Sequence, residues 1–143
     1  MNRVLVLCEG NICRSPMAQG LLAAALPNAQ VHSAGLGALV GMPADETAVR
    51  LMNDRGIDIS AHRAQQVSRS LCTQADLVLV MDTEQRQRLE GMYPQARGRV
   101  FRLGEHLKRD IPDPYRQPEM AFRDALLLID HGAREWLRRI QQL

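Results

Sequence analysis

Short runs of valine and leucine alternate with longer stretches of helical periodicity along the 143 residues of this chain. The short runs predict strands over residues 3–8, 30–34, 76–81 and 98–102, and the longer stretches predict helices over residues 15–26, 43–55, 83–91 and 118–141. The second helix is expected to open at Pro43 or Asp45 and to close at Gly56. Such alternation is typical of a parallel sheet covered by helices. The sequence therefore predicts an α/β fold in one domain, residues 1–143, with three layers and a four-stranded parallel sheet flanked by helices.

The composition limits the classes of partner. The formal net charge is +2, which is too small to indicate nucleic-acid binding. No run of about 18 apolar residues is present, so no membrane insertion is expected, and the apolar start is too short for a signal peptide. The three cysteines favour a reducing cytoplasm over a disulfide scaffold.

The segment from Cys8 to Pro16 joins the first predicted strand to the first predicted helix. A helix N-terminus offers unpaired N–H groups and the positive end of the helix dipole, which together bind anions. The five residues between Cys8 and Arg14 are enough to bend into a cradle of N–H groups. We therefore expect a phosphate-binding loop after the first strand, made of Glu9, Gly10, Asn11, Ile12, Cys13, Arg14 and Ser15.

The residue types in this loop suit attack on a phosphate ester. The helix dipole, the loop N–H groups and Arg14 all favour the thiolate form of Cys8, which is the nucleophilic form. The planar guanidinium of Arg14 can bond two phosphoryl oxygens at once, and the Ser15 hydroxyl can donate to the Cys8 sulfur when it leaves. A cysteine that ends an apolar strand is usually a small buried hydrophobe. The Arg-Ser-Pro sequence that follows at this spacing favours the catalytic interpretation.

Asp113 is the candidate for the acid that protonates the leaving oxygen. It stands between Pro112 and Pro114, which stiffen the loop and exclude regular secondary structure there. Aspartate is also common in turns beside proline, so the assignment depends on the presence of the Cys8 loop.

These segments resemble the low-molecular-weight protein tyrosine phosphatases over residues 3–140. Cys8 to Pro16 is similar to their phosphate loop, and Asp113-Pro114-Tyr115 is similar to their general-acid loop. The segment from Ser33 to Gly41 resembles the bacterial branch associated with exopolysaccharide or capsule production. The resemblance implies that Cys8 is the nucleophile, that Arg14 binds the phosphate, and that Asp113 is first an acid and then a base.

The resemblance also implies supporting residues, and the chain departs from the family at two positions. Asn11 is expected to hold the loop in shape through a bond to Ser33, and His62 to lie behind the loop. Glu9 stands where the family usually has an apolar or small residue, and Gln65 stands where the family often carries arginine.

The expected activity is hydrolysis of phosphotyrosine in proteins, with no metal and no cofactor. Apolar and aromatic side chains are expected to form the wall of a slot deep enough for an aromatic phosphate: Leu36, Leu39, Val40 and Tyr115. By resemblance, the substrate would be an autophosphorylated bacterial tyrosine kinase that controls polysaccharide export, and inorganic phosphate would be the product.

Four other functions or sites are less consistent with the sequence. Arsenate reduction on the same fold needs a relay of thiols, and only Cys72 follows the loop. The related protein-arginine phosphatases carry threonine at the position of Ile12. A non-catalytic phosphotyrosine-binding module is disfavoured by the complete set of Cys8, Arg14 and Asp113. A metal site on Cys8 and Cys13 lacks a matching pair of ligands, and a redox role for Cys13, through a reversible disulfide with Cys8, is favoured instead.

Overall fold

The computed structural model describes residues 2–142. Its strands are β1 (Arg3–Cys8), β2 (Gln30–Gly35), β3 (Leu77–Val80) and β4 (Val100–Arg102). Its α-helices are α1 (Arg14–Ala25), α2 (Glu46–Asn53), α3 (Arg69–Gln74), α4 (Thr83–Met92) and α5 (Glu119–Gln141). Two single 3₁₀ turns cover Pro94–Ala96 and Glu105–Leu107.

The four strands form one parallel sheet in the order β2-β1-β3-β4. β1 lies inside the sheet, where Cys8 pairs with Gly35 of β2 and Val6 pairs with Leu79 of β3. Because all strands are parallel, their carboxyl ends lie along one edge, where ligands bind in folds of this kind. The segment that begins at Cys8 starts at that edge.

Helices cover both faces of the sheet. This is required because successive side chains of β1 point to opposite faces and are apolar on both. Val4, Val6 and Cys8 point into a core that the side chains of α1, α2 and α5 complete, including Met17, Met52, Ile129 and Trp136. Leu5 and Leu7 point into a second core with residues of α3 and α4, including Cys72 and Leu89. The predicted α/β fold of three layers is confirmed.

Several predicted boundaries differ from those observed. The second helix begins at Glu46 because the Asp45 side chain accepts a hydrogen bond from the Thr47 N–H, and it ends at Asn53. Gly56 adopts the expected left-handed conformation (φ 77°), three residues after the helix ends. The sequence reasoning missed α3, a six-residue helix whose first turn is capped by Ser68.

Two further findings concern the surface. Met92, the last residue of α4, is 41% exposed. No helix within residues 2–142 is long and apolar enough to cross a membrane.

Candidate active site

Cys8 is the last residue of β1 and lines a cleft of about 130 Å³. Its Sγ lies 2.9 Å from the Ser15 Oγ atom, at hydrogen-bond distance. The Ser15 oxygen already accepts a hydrogen bond from Asn11 Nδ2 (2.8 Å), so its own hydroxyl proton is free to donate to the sulfur. A hydroxyl that donates to a sulfur stabilises the thiolate and makes it a better leaving group.

The amino end of α1 faces the same cleft. The helix starts at Arg14, no side chain caps it, and its first turn contains no acidic residue. Within residues 2–142, none of the backbone N–H groups of residues 10–14 donates a hydrogen bond. These donors and the uncompensated helix dipole form an anion site.

Asn11 is completely buried and takes part in four hydrogen bonds. The two protons of its side-chain amide go to Ser15 Oγ (2.8 Å) and Ser33 Oγ (3.0 Å), while its Oδ1 accepts from the Gln65 N–H (2.9 Å). Its backbone carbonyl receives a bond of 2.6 Å from His62 Nε2, which must be the donor because a carbonyl only accepts. Asn11 also adopts a left-handed conformation (φ 60°), which asparagine tolerates better than most residues. Asn11 therefore fixes the shape of the loop.

The residues behind the loop continue this network. Ser33 donates to Gln19 Oε1 over 2.6 Å, and the Gln65 side chain donates to the Ser33 carbonyl over 2.9 Å. Burial lowers the pKa of His62 from its ordinary value, so the imidazole is neutral and carries its proton on Nε2. Gln65 thus bridges Asn11 and Ser33.

Arg14 is 3% exposed and joins three chain segments. Its Nη1 donates to the Ile111 carbonyl over 2.7 Å and lies 3.7 Å from Asp82 Oδ2. Its Nη2 lies 3.6 Å from Asp113 Oδ2. Its Nε is buried, with no hydrogen-bond partner within the described residues. The guanidinium is therefore held in place while one donor stays free, as recognition of a phosphoryl oxygen requires.

Asp113 lines the same cleft as the loop from Glu9 to Ser15 and is about half exposed. Its Oδ1 accepts a hydrogen bond from the Tyr115 N–H over 3.1 Å, which closes a tight local turn. The turn leaves Oδ2 directed at Arg14. A carboxyl group is thus held at the cleft that contains the Cys8 sulfur.

The cleft is lined by residues from three chain segments: Cys8, Glu9, Gly10, Ile12, Cys13, Arg14, Gly37, Leu39, Asp113 and Tyr115. Of the expected wall residues, Leu39 and Tyr115 lie there. Leu36 does not, because it is buried in the core beside Ala34, and Val40 does not, because it is 69% exposed at the outer side of its loop. Gly10 also lines the cleft.

Comparison with known proteins places this geometry in a family. A sequence model described as "Low molecular weight phosphotyrosine protein phosphatase" matches residues 3–143. This chain belongs to the low molecular weight phosphotyrosine protein phosphatase family. The resemblance noted from the Cys8 and Asp113 segments is confirmed.

The phosphatase is similar to known bacterial proteins over almost its whole length. It is 55% identical to a protein of Ralstonia solanacearum named "Probable low molecular weight protein-tyrosine-phosphatase EpsP", over 98% of this chain and 97% of that one. Its structure matches Vibrio vulnificus Wzb in complex with benzylphosphonate (TM-score 0.93, 41% identity, 96% of this chain and 98% of that chain). It also matches the YwlE arginine phosphatase from Geobacillus stearothermophilus (TM-score 0.92, 30% identity, 99% and 94%).

Cys13 is buried at the floor of the cleft of this phosphatase and is 3% exposed. Burial first of all, and then the nearby Asp45, raises the pKa of its thiol well above the ordinary range. Cys13 therefore remains a thiol at neutral pH. Its redox role stays a prediction.

Sequence reasoning missed three residues that support the site of the phosphatase. Asp82 contacts Arg14, Gln19 bonds to Ser33, and Arg88 forms an ion pair with Glu9. Asp82 lies two residues after the end of β3, so its place at the carboxyl edge of the sheet could be predicted from the sequence. The other two contacts depend on packing between separate segments of the chain. The described residues contain no group of three or more histidine, cysteine or acidic side chains placed to hold a metal ion.

Proposed function

We propose that this protein-tyrosine-phosphatase acts through a phosphocysteine formed on Cys8, with Arg14 as the phosphate ligand and Asp113 as the acid and then the base. One observation carries the proposal: Cys8, Arg14 and Asp113 line the same cleft at the amino end of α1. A thiolate, a fixed guanidinium and a carboxyl group around an anion site are the groups that phosphate-ester hydrolysis through a covalent intermediate requires.

In the first step, the Cys8 sulfur attacks phosphorus and a sulfur–phosphorus bond forms. The bond between phosphorus and the tyrosine oxygen breaks, and Asp113 gives its proton to that oxygen. The N–H groups of residues 10–14 and the guanidinium of Arg14 hold the three equatorial oxygens and stabilise their charge. This step uses the protonated form of Asp113, which is the form that can donate.

In the second step, Asp113 takes a proton from a water molecule whose oxygen attacks phosphorus. The sulfur–phosphorus bond breaks, inorganic phosphate leaves, and Cys8 returns to the thiolate. The Ser15 hydroxyl, 2.9 Å from the sulfur, stabilises the charge that the departing sulfur gains.

The shape of the cleft supports an aromatic phosphate as the substrate. Ile12, Leu39 and Tyr115 supply apolar and aromatic surface around the opening, where a tyrosine ring can pack. Vibrio vulnificus Wzb, which shares the fold at 41% identity, binds benzylphosphonate, in which a phosphonate is attached to a benzyl group. Phosphoserine and phosphothreonine lack the length to bring phosphorus to the Cys8 sulfur.

The physiological partner that we propose is an autophosphorylated bacterial tyrosine kinase that controls polysaccharide export. The proposal is supported by the 55% identity to the EpsP phosphatase and by the similarity to Wzb. We also propose that the phosphatase works in the cytoplasm, because its three cysteines are free and buried, which suits a reducing compartment.

The test compares kcat/KM on one peptide sequence that carries phosphotyrosine, phosphoserine or phosphoarginine. We expect hydrolysis of the phosphotyrosine peptide alone, and its loss in Cys8→Ser. Equal rates on the phosphotyrosine and phosphoserine peptides, or activity that survives Cys8→Ser, would contradict the proposal. Faster hydrolysis of the phosphoarginine peptide would instead indicate an arginine phosphatase, which is the activity that the name of the YwlE relative states.

A further inference from the structure

Glu9 puts a negative charge where the reaction least tolerates one. It directly follows the nucleophile, lines the cleft, and its side chain is 44% exposed. An unpaired carboxylate at this place repels a phosphate dianion and disfavours the Cys8 thiolate. The site therefore needs a group that neutralises Glu9.

Arg88 is that group. It projects from α4, and its two terminal nitrogens meet the two carboxylate oxygens of Glu9, with Nη1–Oε1 at 2.6 Å and Nη2–Oε2 at 3.2 Å. Two parallel bonds of this kind fix direction as well as distance. Glu84, one helical turn earlier on α4, adds a weaker attraction for Arg88.

The backbone beside Glu9 also sets the direction of its side chain. The Glu9 carbonyl accepts a hydrogen bond of 2.9 Å from the Gly37 N–H, so the phosphate loop is tied to the loop that carries Leu39. A Cβ at Gly37 would lie 2.5 Å from Glu9 Oε2. A side chain at position 37 would therefore displace the Glu9 carboxylate from its present place.

We propose that Arg88 is a positioning residue for the phosphatase reaction, which neutralises Glu9 and holds its carboxylate in the pair on α4. Arg88 does not line the cleft, so it acts through Glu9 and not on the substrate. The inference rests on the proposed function, because it concerns the charge that a phosphorylated substrate meets at this cleft.

The first test is Arg88→Gln, assayed on a phosphotyrosine peptide. We expect kcat/KM to fall about fivefold, mainly through KM, because the freed carboxylate repels the dianion. The difference from the wild type should shrink as salt is added, since Glu9 is partly exposed. The matched control is Arg86→Gln, which removes the same charge from the same helix at a residue paired with Glu90 and Glu105. This control should leave kcat/KM unchanged.

The second test is the double variant Glu9→Gln, Arg88→Gln. If Arg88 acts through Glu9, removal of the carboxylate restores activity. The kcat/KM of the double variant should then be about fivefold higher than that of Arg88→Gln. A double variant as slow as Arg88→Gln would overturn the proposal, because Arg88 would then act on the substrate or on folding. Thermal unfolding of each variant separates a loss of fold from a loss of charge compensation.

Alkylation of Cys8 by uncharged iodoacetamide, located by mass spectrometry, provides a measurement that needs no turnover. In Arg88→Gln the rise of alkylation with pH should move to higher pH, and in the double variant it should return toward the wild type. An unchanged profile in Arg88→Gln would overturn the proposal even if the wild type hydrolyses phosphotyrosine. A wild type that hydrolyses no phosphotyrosine peptide but shows this shift would overturn the proposed function alone.

Discussion

Arg14 both contacts two neighbouring chain segments and keeps a donor for a phosphate oxygen. Its Nη1 holds the loop before Asp113 through the Ile111 carbonyl, and Asp82 lies 3.7 Å away on the same side. The buried Nε donor has no hydrogen-bond partner within the described residues. A lysine has no fixed fork and cannot satisfy both sides at once.

Asp113→Ala tests the acid at the scale of one residue. We expect kcat/KM on a phosphotyrosine peptide, which reports the first step, to fall by about 10²–10⁴, because the tyrosine oxygen must leave without a proton. With p-nitrophenyl phosphate, whose leaving group needs no proton, the fall should be much smaller. Asp110→Ala is the matched control, since Asp110 lies in the preceding loop and bonds to Thr83 and Arg102. A fall of equal size with both substrates would exclude Asp113 as the acid.

His62→Gln tests the neutral imidazole behind the loop. Burial lowers the pKa of His62 in the folded state, so below about pH 6.5 the unfolded chain binds a proton that the folded chain does not. The free energy of unfolding therefore falls as the pH drops from about 6.5 toward the lowered pKa of the folded state. Glutamine keeps an N–H donor for the Asn11 carbonyl but does not titrate. We expect the variant to lose less stability than the wild type between about pH 7 and pH 5, measured by urea unfolding. An identical loss in the two proteins would contradict a neutral His62.

Cys13→Ser tests the redox prediction. Peroxide oxidises the Cys8 thiolate to a sulfenic acid, and the Cys13 thiol then condenses with it, releasing water and forming a disulfide that a dithiol reduces. We expect the oxidised wild type to regain activity with dithiol and Cys13→Ser to regain less. Cys72→Ala is the control, because Cys72 is buried in the core on the other face of the sheet. Equal recovery in all three proteins would refute the protective role of Cys13.

At the scale of elements, the close approach of α5 to the loop after β4 depends on one glycine. A Cβ at Gly132 would lie 2.6 Å from the Leu103 carbonyl oxygen, which is backbone and cannot rotate away. Alanine is the better helix former by about 1 kcal/mol, but the collision outweighs that gain. We expect Gly132→Ala to lower the free energy of unfolding by about 1–3 kcal/mol. Gly91→Ala in α4, where a Cβ meets nothing within 4 Å, should be neutral or stabilising.

The helices and strands also show where a sequence pattern is enough to predict the boundaries of an element. The strand β1 and the helices α4 and α5 were predicted within one residue at each end, because valine and leucine runs and helical periodicity mark them well. α3 was missed because six residues with one buried side chain, Cys72, have no measurable period. Pro43 and Ala44 precede α2, since Asp45 caps the helix at a later position.

At the scale of the whole molecule, the sequence predicts the placement of Cys8, Arg14 and Asp113 in one cleft better than it predicts the apolar wall of that cleft. Cys8, Arg14 and Ser15 are close in the chain, so their arrangement follows from a strand, a loop and a helix. Leu36 and Val40 were predicted to line the cleft because they are apolar residues in a loop expected to lie near the site. In the structure, the path of that loop buries Leu36 and exposes Val40. The partner of Glu9 is 79 residues away, a distance over which only folding brings side chains together.

The most direct measurement is an acid quench of the reaction within a single turnover. Asp113→Ala, which slows the second step because it lacks the base, is mixed with p-nitrophenyl phosphate, whose leaving group needs no proton, and is denatured in acid. Mass spectrometry then locates the phosphate on the protein. We expect phosphate bound to the Cys8 sulfur, and none on Cys13 or Cys72. Release of p-nitrophenol with no phosphate on Cys8, or phosphate on any other residue, would contradict the phosphocysteine mechanism.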